Sequence, residues 1–551
     1  MGRRALLAAL SLSLASITLV APQTAGAVAE RDPGGDAYRD QRLTWQKCLT
    51  ELPPGAPPQA LDLECTGYRV PADWNKPGQG GDDLVIVASR LRPSHGTPKG
   101  LLLTNPGGPG GPGLVTPLLL VNQTKLTAAM EIVGIDVRGT GYSTTVTCGR
   151  PDDAWETHQD PRDRTPTGVR NILNRAKNTA QACRTHSGAL LDKITTEQTV
   201  KDLDLLRHLM GYDKTNWLGY SAGTWLGAAY ATYFPNRVSR FVLDSNTEFT
   251  ASWQESFTWF PKGLERRFQQ DFAPWVARHH ARFGLGGTAE QVRATYERLR
   301  AILTERPLDL GVLTLHAHTF DLVIAQGLYS KYQFQVFAEL IAAIRQALEG
   351  GAAAAAPSPA ALGLLNAAGA ANAVAPDSLR STQYAVVCND TPWRGGPREL
   401  LRSTAELGAR HPLLGWRAVL EPCAYWDRES PTLKPRTGEG VPPILMVQTA
   451  GDGPTPLGGA LRALHRFKGA RFLLVTDEGD HGAYAGGNTC VDRRVEAYLV
   501  DGVLPGKFTT CPGVPIPDPV DALAKGPAQQ PNPILRNRGL TETLTPYLRT
   551  P

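Results

Sequence analysis

An α/β fold with a mostly parallel sheet, interrupted once by a long helical insertion, is what the sequence predicts. Three observations predict it. Short apolar runs at residues 84–88, 101–104, 132–135, 216–219 and 241–243 alternate with stretches of helical periodicity, the signature of an α/β sheet. Residues 250–405 are rich in Trp and Arg and keep a mainly helical period with little strand punctuation. Strand-like runs then resume at residues 444–448 and 472–476. One sheet interrupted once explains this order better than several independent domains.

The elements follow in chain order. Residues 1–27 read as a cleaved signal peptide: Arg3 and Arg4, an apolar stretch over residues 5–20, then the small-x-small pattern Ala25-Gly26-Ala27. Serines interrupt the apolar stretch and a cleavage pattern follows it, which argues against a membrane anchor. The expected location is therefore outside the cell, with no stable membrane anchor. Residues 28–246 should form the first part of the sheet domain, 247–405 the helical insertion and 406–551 the rest of the sheet domain. Val200, Leu203, Leu206 and Leu209, three apart, mark a helix in the first part. Residues 350–376, dominated by Ala, Gly and Pro, read as a flexible surface excursion.

Composition narrows the class. At 551 residues, 42% hydrophobic and 20% charged, the chain is neither disordered nor fibrous. Lys and Arg number 57 against 52 Asp and Glu, too near balance for nucleic-acid binding. Eight cysteines contain no C-x-x-C pair, so neither a metal nor a redox motif is implied. An even count in an exported chain argues for disulfides. Eight cysteines allow 105 pairings. Short separations between neighbours favour the sequential set Cys48–Cys65, Cys148–Cys183, Cys388–Cys423 and Cys490–Cys511.

Chemistry centres on Gly219-Tyr220-Ser221-Ala222-Gly223. It follows the apolar run containing Trp217 and Leu218 and precedes a small-residue and aromatic stretch suited to a buried helix. That strand–turn–helix context is what a nucleophile elbow needs, with glycines allowing the sharp turn that exposes the serine hydroxyl. A serine needs a base and the base an orienting acid, in the chain order Ser, acid, His. His481, a few residues past the last apolar run, is the expected base; His465 belongs to a helical stretch and reads as a surface residue. Asp452, at the end of the preceding strand, is the expected acid, and Asp244 is its rival. Asp477, Glu478 and Asp480 lie too close to His481 along the chain to orient its ring. The glycine-rich segment at residues 105–113 carries no Gly-Lys-Ser/Thr, so it is not a phosphate loop. It follows a strand and can offer backbone N–H groups, near Gly108, to an oxyanion; Ala222 N–H would be the second donor.

Residues 105–113, Asp136-Val137-Arg138-Gly139-Thr140-Gly141-Tyr142-Ser143 and Gly219–Gly223 together resemble the prolyl-iminopeptidase branch of the α/β-hydrolase serine peptidases. Val386-Val387-Cys388-Asn389-Asp390, Asp452-Gly453-Pro454-Thr455-Pro456 and Asp480-His481-Gly482 narrow this to a likeness with the secreted tripeptidyl aminopeptidases of actinomycetes. The resemblance covers nearly the whole mature chain, including most cysteines. It implies an α/β-hydrolase fold with a mainly helical cap inserted between strands of the core sheet. It also implies Ser221, Asp452 and His481 as triad, with the Asp136–Ser143 segment a structural loop. Two departures are Ala222, where some relatives carry Tyr, and the Ala/Gly tract. The activity implied is a secreted serine exopeptidase releasing short peptides, tripeptides above all, from substrates with a free N-terminus. No metal or organic cofactor is implied. A substrate ammonium then calls for a buried carboxylate, for which Asp390, Glu248 and Glu255 are candidates with Asp390 favoured. A carboxylesterase of the same fold is the alternative, because the same triad serves esters. A binding protein without activity would tolerate loss of the nucleophile, whereas here every catalytic position is filled.

Overall fold

Apolar residues on successive positions of the central strands bury the sheet on both faces, as a parallel sheet requires. In β4 (Gly100–Asn105) Leu101 and Leu103 join one core and Leu102 the other; β7 (Val238–Asp244) divides Phe241 and Leu243 from Val242 in the same way. The computed structural model describes residues 36–78, 83–93, 96–149, 159–309, 314–349, 377–417, 421–427, 433–520 and 532–549. The expected signal peptide and the Ala/Gly tract at 350–376 lie outside these residues. Among them no helix is long and apolar enough to cross a membrane.

The other strands are β1 (Gln46–Lys47), β2 (Glu64–Val70), β3 (Leu84–Leu91), β5 (Met130–Asp136), β6 (Thr215–Tyr220), β8 (Leu308–Asp309), β9 (Thr314–Leu315), β10 (Leu445–Thr449), β11 (Arg471–Thr476) and β12 (Phe508–Pro512). Ten of them form one sheet in the order β1-β2-β3-β5-β4-β6-β7-β10-β11-β12, while β8 and β9 form a separate small hairpin. From β5 through β12 neighbours run parallel; β1, β2 and β3 pair antiparallel. Parallel pairing puts the ends of β4, β6, β7, β10 and β11 at one edge, where an open α/β sheet collects its reactive groups.

Helices cover both faces. Helix Thr196–Leu209, capped by the Thr195 side chain on Gln198 N–H, sets Val200, Leu203 and Leu206 into one core with Trp225 and Tyr230 of helix Ala222–Tyr233. Helix Thr489–Asp501 sets Val491, Val495 and Leu499 into the opposite core. Between β7 and β10 the described chain is helical apart from the β8–β9 hairpin, and it carries a third core built on Phe268, Phe272, Trp275, Tyr296, Phe320 and Phe334. Helix Pro397–Arg410 runs across residue 405, where the sequence placed the end of the insertion. It stops only at His411, because the residue before Pro412 is disfavoured in the helical region. The described chain then has no strand until β10.

Four disulfides join Cys48 to Cys65, Cys148 to Cys183, Cys388 to Cys423 and Cys490 to Cys511. The last ties the start of helix Thr489–Asp501 to the edge strand β12 across a sequence separation of 21. Replacing both Cys490 and Cys511 by Ala should destabilise the chain by about 3 kcal/mol in the loop-entropy account. Urea unfolding would read this as a lower midpoint, with a slope no smaller than the parent's because the freed unfolded chain exposes more surface. An unmoved midpoint would mean that the bridge adds nothing to stability.

Candidate active site

Ser221 joins β6 to helix Ala222–Tyr233 at φ 55° and ψ −125°. Holding a residue with a side chain there costs roughly 1–3 kcal/mol. Neighbouring backbone imposes the turn: Ser221 N–H donates to the Asp244 carbonyl at 2.9 Å, and Thr224 returns its N–H and Oγ1 to the Ser221 carbonyl at 2.9 and 2.6 Å. The flanking glycines permit it. A Cβ on Gly219 would stand 2.3 Å from the Gly223 carbonyl oxygen, and one on Gly223 would stand 2.8 Å from the Asn105 carbonyl oxygen.

The glycine-rich loop crosses directly over this turn. A Cβ on Gly107, whose φ is 100°, would lie 2.8 Å from Ser221 Cβ and 3.0 Å from Ala222 N. Gly107 and the Ala222 N–H therefore share one contact zone at the serine, while Gly108 packs against Gly110 and Gly111 of its own loop. Gly107 N–H donates to Asn105 Oδ1 at 3.0 Å, and the far end of the loop is held by Asp136, whose carboxylate accepts the N–H groups of Gly113 (2.7 Å), Leu114 (3.2 Å) and Tyr142 (2.9 Å). Burial pushes the Asp136 carboxyl up to about 6, against the pull of those three donors. Helix Ser378–Asp390 backs the loop, with Gln383 Nε2 donating to the Gly108 carbonyl at 3.3 Å and Thr382 Oγ1 to that of Gly139 at 2.6 Å.

The structure brings Asp452 and His481 together. Both carboxylate oxygens of Asp452 lie 3.0 Å from His481 Nδ1, and both residues are about 1% exposed. Thr455 N–H donates to Asp452 Oδ1 at 2.8 Å, and Thr455 Oγ1 stands 3.2 Å from Nδ1. With Nδ1 committed to donating to a carboxylate, Nε2 keeps the lone pair that a base needs. Asp244 serves elsewhere: its carboxylate accepts the N–H groups of Ala483 and Tyr484. His481 N–H donates to the Tyr329 carbonyl at 2.9 Å, and the Tyr329 ring stands edge-on to the imidazole at 5.3 Å between centroids.

A buried charged cluster surrounds that contact. The Asp480 carboxylate accepts from Arg267 Nη2 at 2.7 Å, Lys331 N–H at 2.7 Å and Ser330 Oγ at 2.8 Å, while Lys331 Nζ pairs with Glu478. Arg267 also meets Asp271 at 2.8 Å and lies over the Phe334 ring at 5.0 Å. These contacts bolt the helical segment to the His481 loop. Glu478 and Asp480, too close to His481 along the chain to orient its ring, act instead through partners some 150 to 210 residues away, which sequence does not reveal.

The three acids expected to meet a substrate amine have other partners. Asp390 is buried and spends one oxygen on Thr196 N–H (2.7 Å) and the other on Thr196 Oγ1 (2.6 Å) and Trp253 Nε1 (3.0 Å), closing the start of helix Thr196–Leu209. Glu255 closes a capping box with Ser252. Glu248 accepts Trp259 Nε1 at 2.7 Å and faces Arg466 and Arg462 at 3.4 and 3.6 Å. Three donors from the protein thus meet the Asp390 carboxylate, and acids that cap helices look the same in sequence as acids that bind ligands. His465 is exposed in the last turn of helix Leu457–Arg466.

Comparison with known proteins agrees with the fold. The alpha/beta hydrolase fold family model matches residues 100–301, and the TAP-like protein model matches residues 412–511. The chain is 31% identical to the tripeptidyl aminopeptidase of Streptomyces lividans over 85% of its own length and 86% of the relative's. It is 28% identical to carboxylesterase B of Mycobacterium tuberculosis, over 91% of this chain and 96% of that one. It is 26% identical to the serine protease Hip1 of the same organism, with the same coverage.

The raised Asp136 carboxyl makes a testable demand on stability. An unfolded aspartate titrates near pH 4, so this group's contribution to stability is full below about pH 4 and is lost as pH rises through about 6. The whole effect amounts to about 3 kcal/mol, of which roughly half is present at pH 5. In Asp136→Asn the stability difference between pH 5 and pH 8 should therefore shrink by about 1–2 kcal/mol relative to the parent chain, as read by urea unfolding at both values. An unchanged difference would show that Asp136 titrates normally.

Proposed function

Because the chain belongs to the tripeptidyl aminopeptidase family of α/β-hydrolase serine peptidases, we propose that it is a secreted exopeptidase releasing short peptides, tripeptides above all, from free N-termini. Ser221 attacks the scissile carbonyl. His481 Nε2 takes its proton and returns it to the leaving amine, while Asp452 holds the imidazole through Nδ1 and stabilises the imidazolium. Backbone N–H groups near Gly108 and of Ala222 receive the oxyanion. The observation that carries this reading is the Asp452–His481 contact at 3.0 Å through Nδ1. It sits at the same sheet edge as a serine held at positive φ beneath a glycine loop. The helical segment between β7 and β10 acts as the cap. Its bonded contact with the His481 loop and its backing of the glycine loop support a position over the site, from which it would limit entry to chain ends. Four disulfides favour an oxidising, extracellular location.

A fluorophosphonate should label Ser221, and Ser221→Ala should lose several orders of magnitude in kcat. Label on another serine, or near-parental turnover by the variant, would remove the assignment.

Exopeptidase action is tested by kcat/KM for a tripeptide amide with and without an N-acetyl cap. Capping removes the ammonium and leaves its counter-charge buried and unpaired, a loss of about 2–5 kcal/mol, or about thirtyfold to several-thousandfold. Equal values would favour the second reading, a carboxylesterase, which the identity with carboxylesterase B supports. In that case simple esters should be turned over far better than peptide amides.

A further inference from the structure

Asp244 ends β7 between the two segments that carry Ser221 and His481, and it is bonded to both. Its carbonyl accepts Ser221 N–H at 2.9 Å. Its carboxylate accepts Tyr484 N–H at 2.7 Å and Ala483 N–H at 3.1 Å from each oxygen, and the Ser245 hydroxyl at 3.2 Å. Ser245 Oγ in turn accepts Gly482 N–H at 2.7 Å. The three N–H groups following His481 are thus all taken by two consecutive residues, and Ser245 is held at φ 60° to reach its share.

Stability does not explain this arrangement. Asp244 is fully buried, and among the described residues no Lys or Arg pairs with it. A buried carboxylate without a cation is costly, and burial pushes this one up to about 6, with the nearby Asp452 charge adding to the shift. A strained serine beside it adds to the cost. What the pair supplies is geometry: one rigid strand end fixes the serine turn with its main chain and the histidine loop with its side chains.

We infer that Asp244, assisted by Ser245, is a positioning residue that sets the distance between Ser221 and His481. The inference rests on the reading of those two as nucleophile and base. Asparagine at position 244 can keep most of the wiring, since Oδ1 in place of the oxygen that meets both Ala483 and Tyr484 still accepts both and Nδ2 can donate to Ser245; what it loses is the second acceptor for Ala483 N–H, which Nδ2 would face as a donor. Alanine cannot keep it. Glycine at position 245 relieves the positive φ but leaves Gly482 N–H without its acceptor.

The test compares Asp244→Asn, Asp244→Ala and Ser245→Gly by kcat and KM, by melting temperature at pH 8, and by the fraction of molecules labelled by a fluorophosphonate. Asp244→Asn is expected to lose about three- to tenfold in kcat while melting no lower than the parent. Asp244→Ala is expected to lose at least about a hundredfold in kcat with KM within about threefold. Ser245→Gly is expected to lose about tenfold in kcat without loss of melting temperature. A purely structural role predicts the opposite pattern, with melting temperature moved and kcat per folded molecule unmoved. Should Asp244→Ala fail to fold, Ser245→Gly decides: parental kcat in that variant overturns the inference. Absence of label on Ser221 in the parent would instead overturn the reading on which the inference rests.

Discussion

Backbone approaching backbone at distances that leave no room for a Cβ is the constraint on which the candidate site depends. Gly107 over Ser221, Gly219 against Gly223 and Gly223 against Asn105 are three such approaches within one small volume. Each replaces a side-chain contact by a main-chain one, which fixes positions more tightly because fewer torsions intervene. The strain of Ser221 is tolerated because the helix behind it, the strand beside it and the loop above it all meet it through peptide groups. An alanine at Gly107 would push the loop off the serine and open the zone proposed for the oxyanion.

Buried carboxylates do much of the remaining alignment, and two of them do it chiefly as acceptors of hydrogen bonds rather than as members of ion pairs. Asp136 gathers the glycine loop, and Asp390 closes a helix of the sheet domain against the helical segment. A carboxylate has about four acceptor sites, so one side chain can join two or three peptide groups from distant parts of the chain. The cost is desolvation, visible in carboxyls raised towards neutrality. Ion pairs take over where segments approach side on, as where Arg138 grips Asp202 through two nitrogens at 2.7 and 2.6 Å.

Much of this was legible in the sequence because it is local. Apolar runs and the helix of Val200, Leu203 and Leu206 follow from periodicity, and the serine motif follows from a strand, a turn and a helix in immediate succession. Asp452 and His481 could be named because strand ends of a parallel sheet collect at one edge, so position along the chain stands in for position in space. What was not legible depends on partners far away. Nothing around Asp390 distinguishes an acid that meets Thr196 and Trp253 from one that meets a ligand. Helix Pro397–Arg410 carries no breaker at residue 405, so its continuation past that point could not be read locally. Arg267 and Asp480, 213 residues apart, share no motif at all.

That last contact bears on how the protein comes to be active. Asp480 and His481 are neighbours, and the peptide between them is held by a part of the chain that folds around its own core. A folding intermediate with the sheet complete but the helical segment unformed would have its histidine loop facing unpaired Glu478 and Asp480, whose mutual repulsion and exposure would leave the ring unaligned. Hydrolysis at this site could then begin only after that core had closed. For a hydrolase, competence that waits on the helical segment is a built-in delay between synthesis and activity.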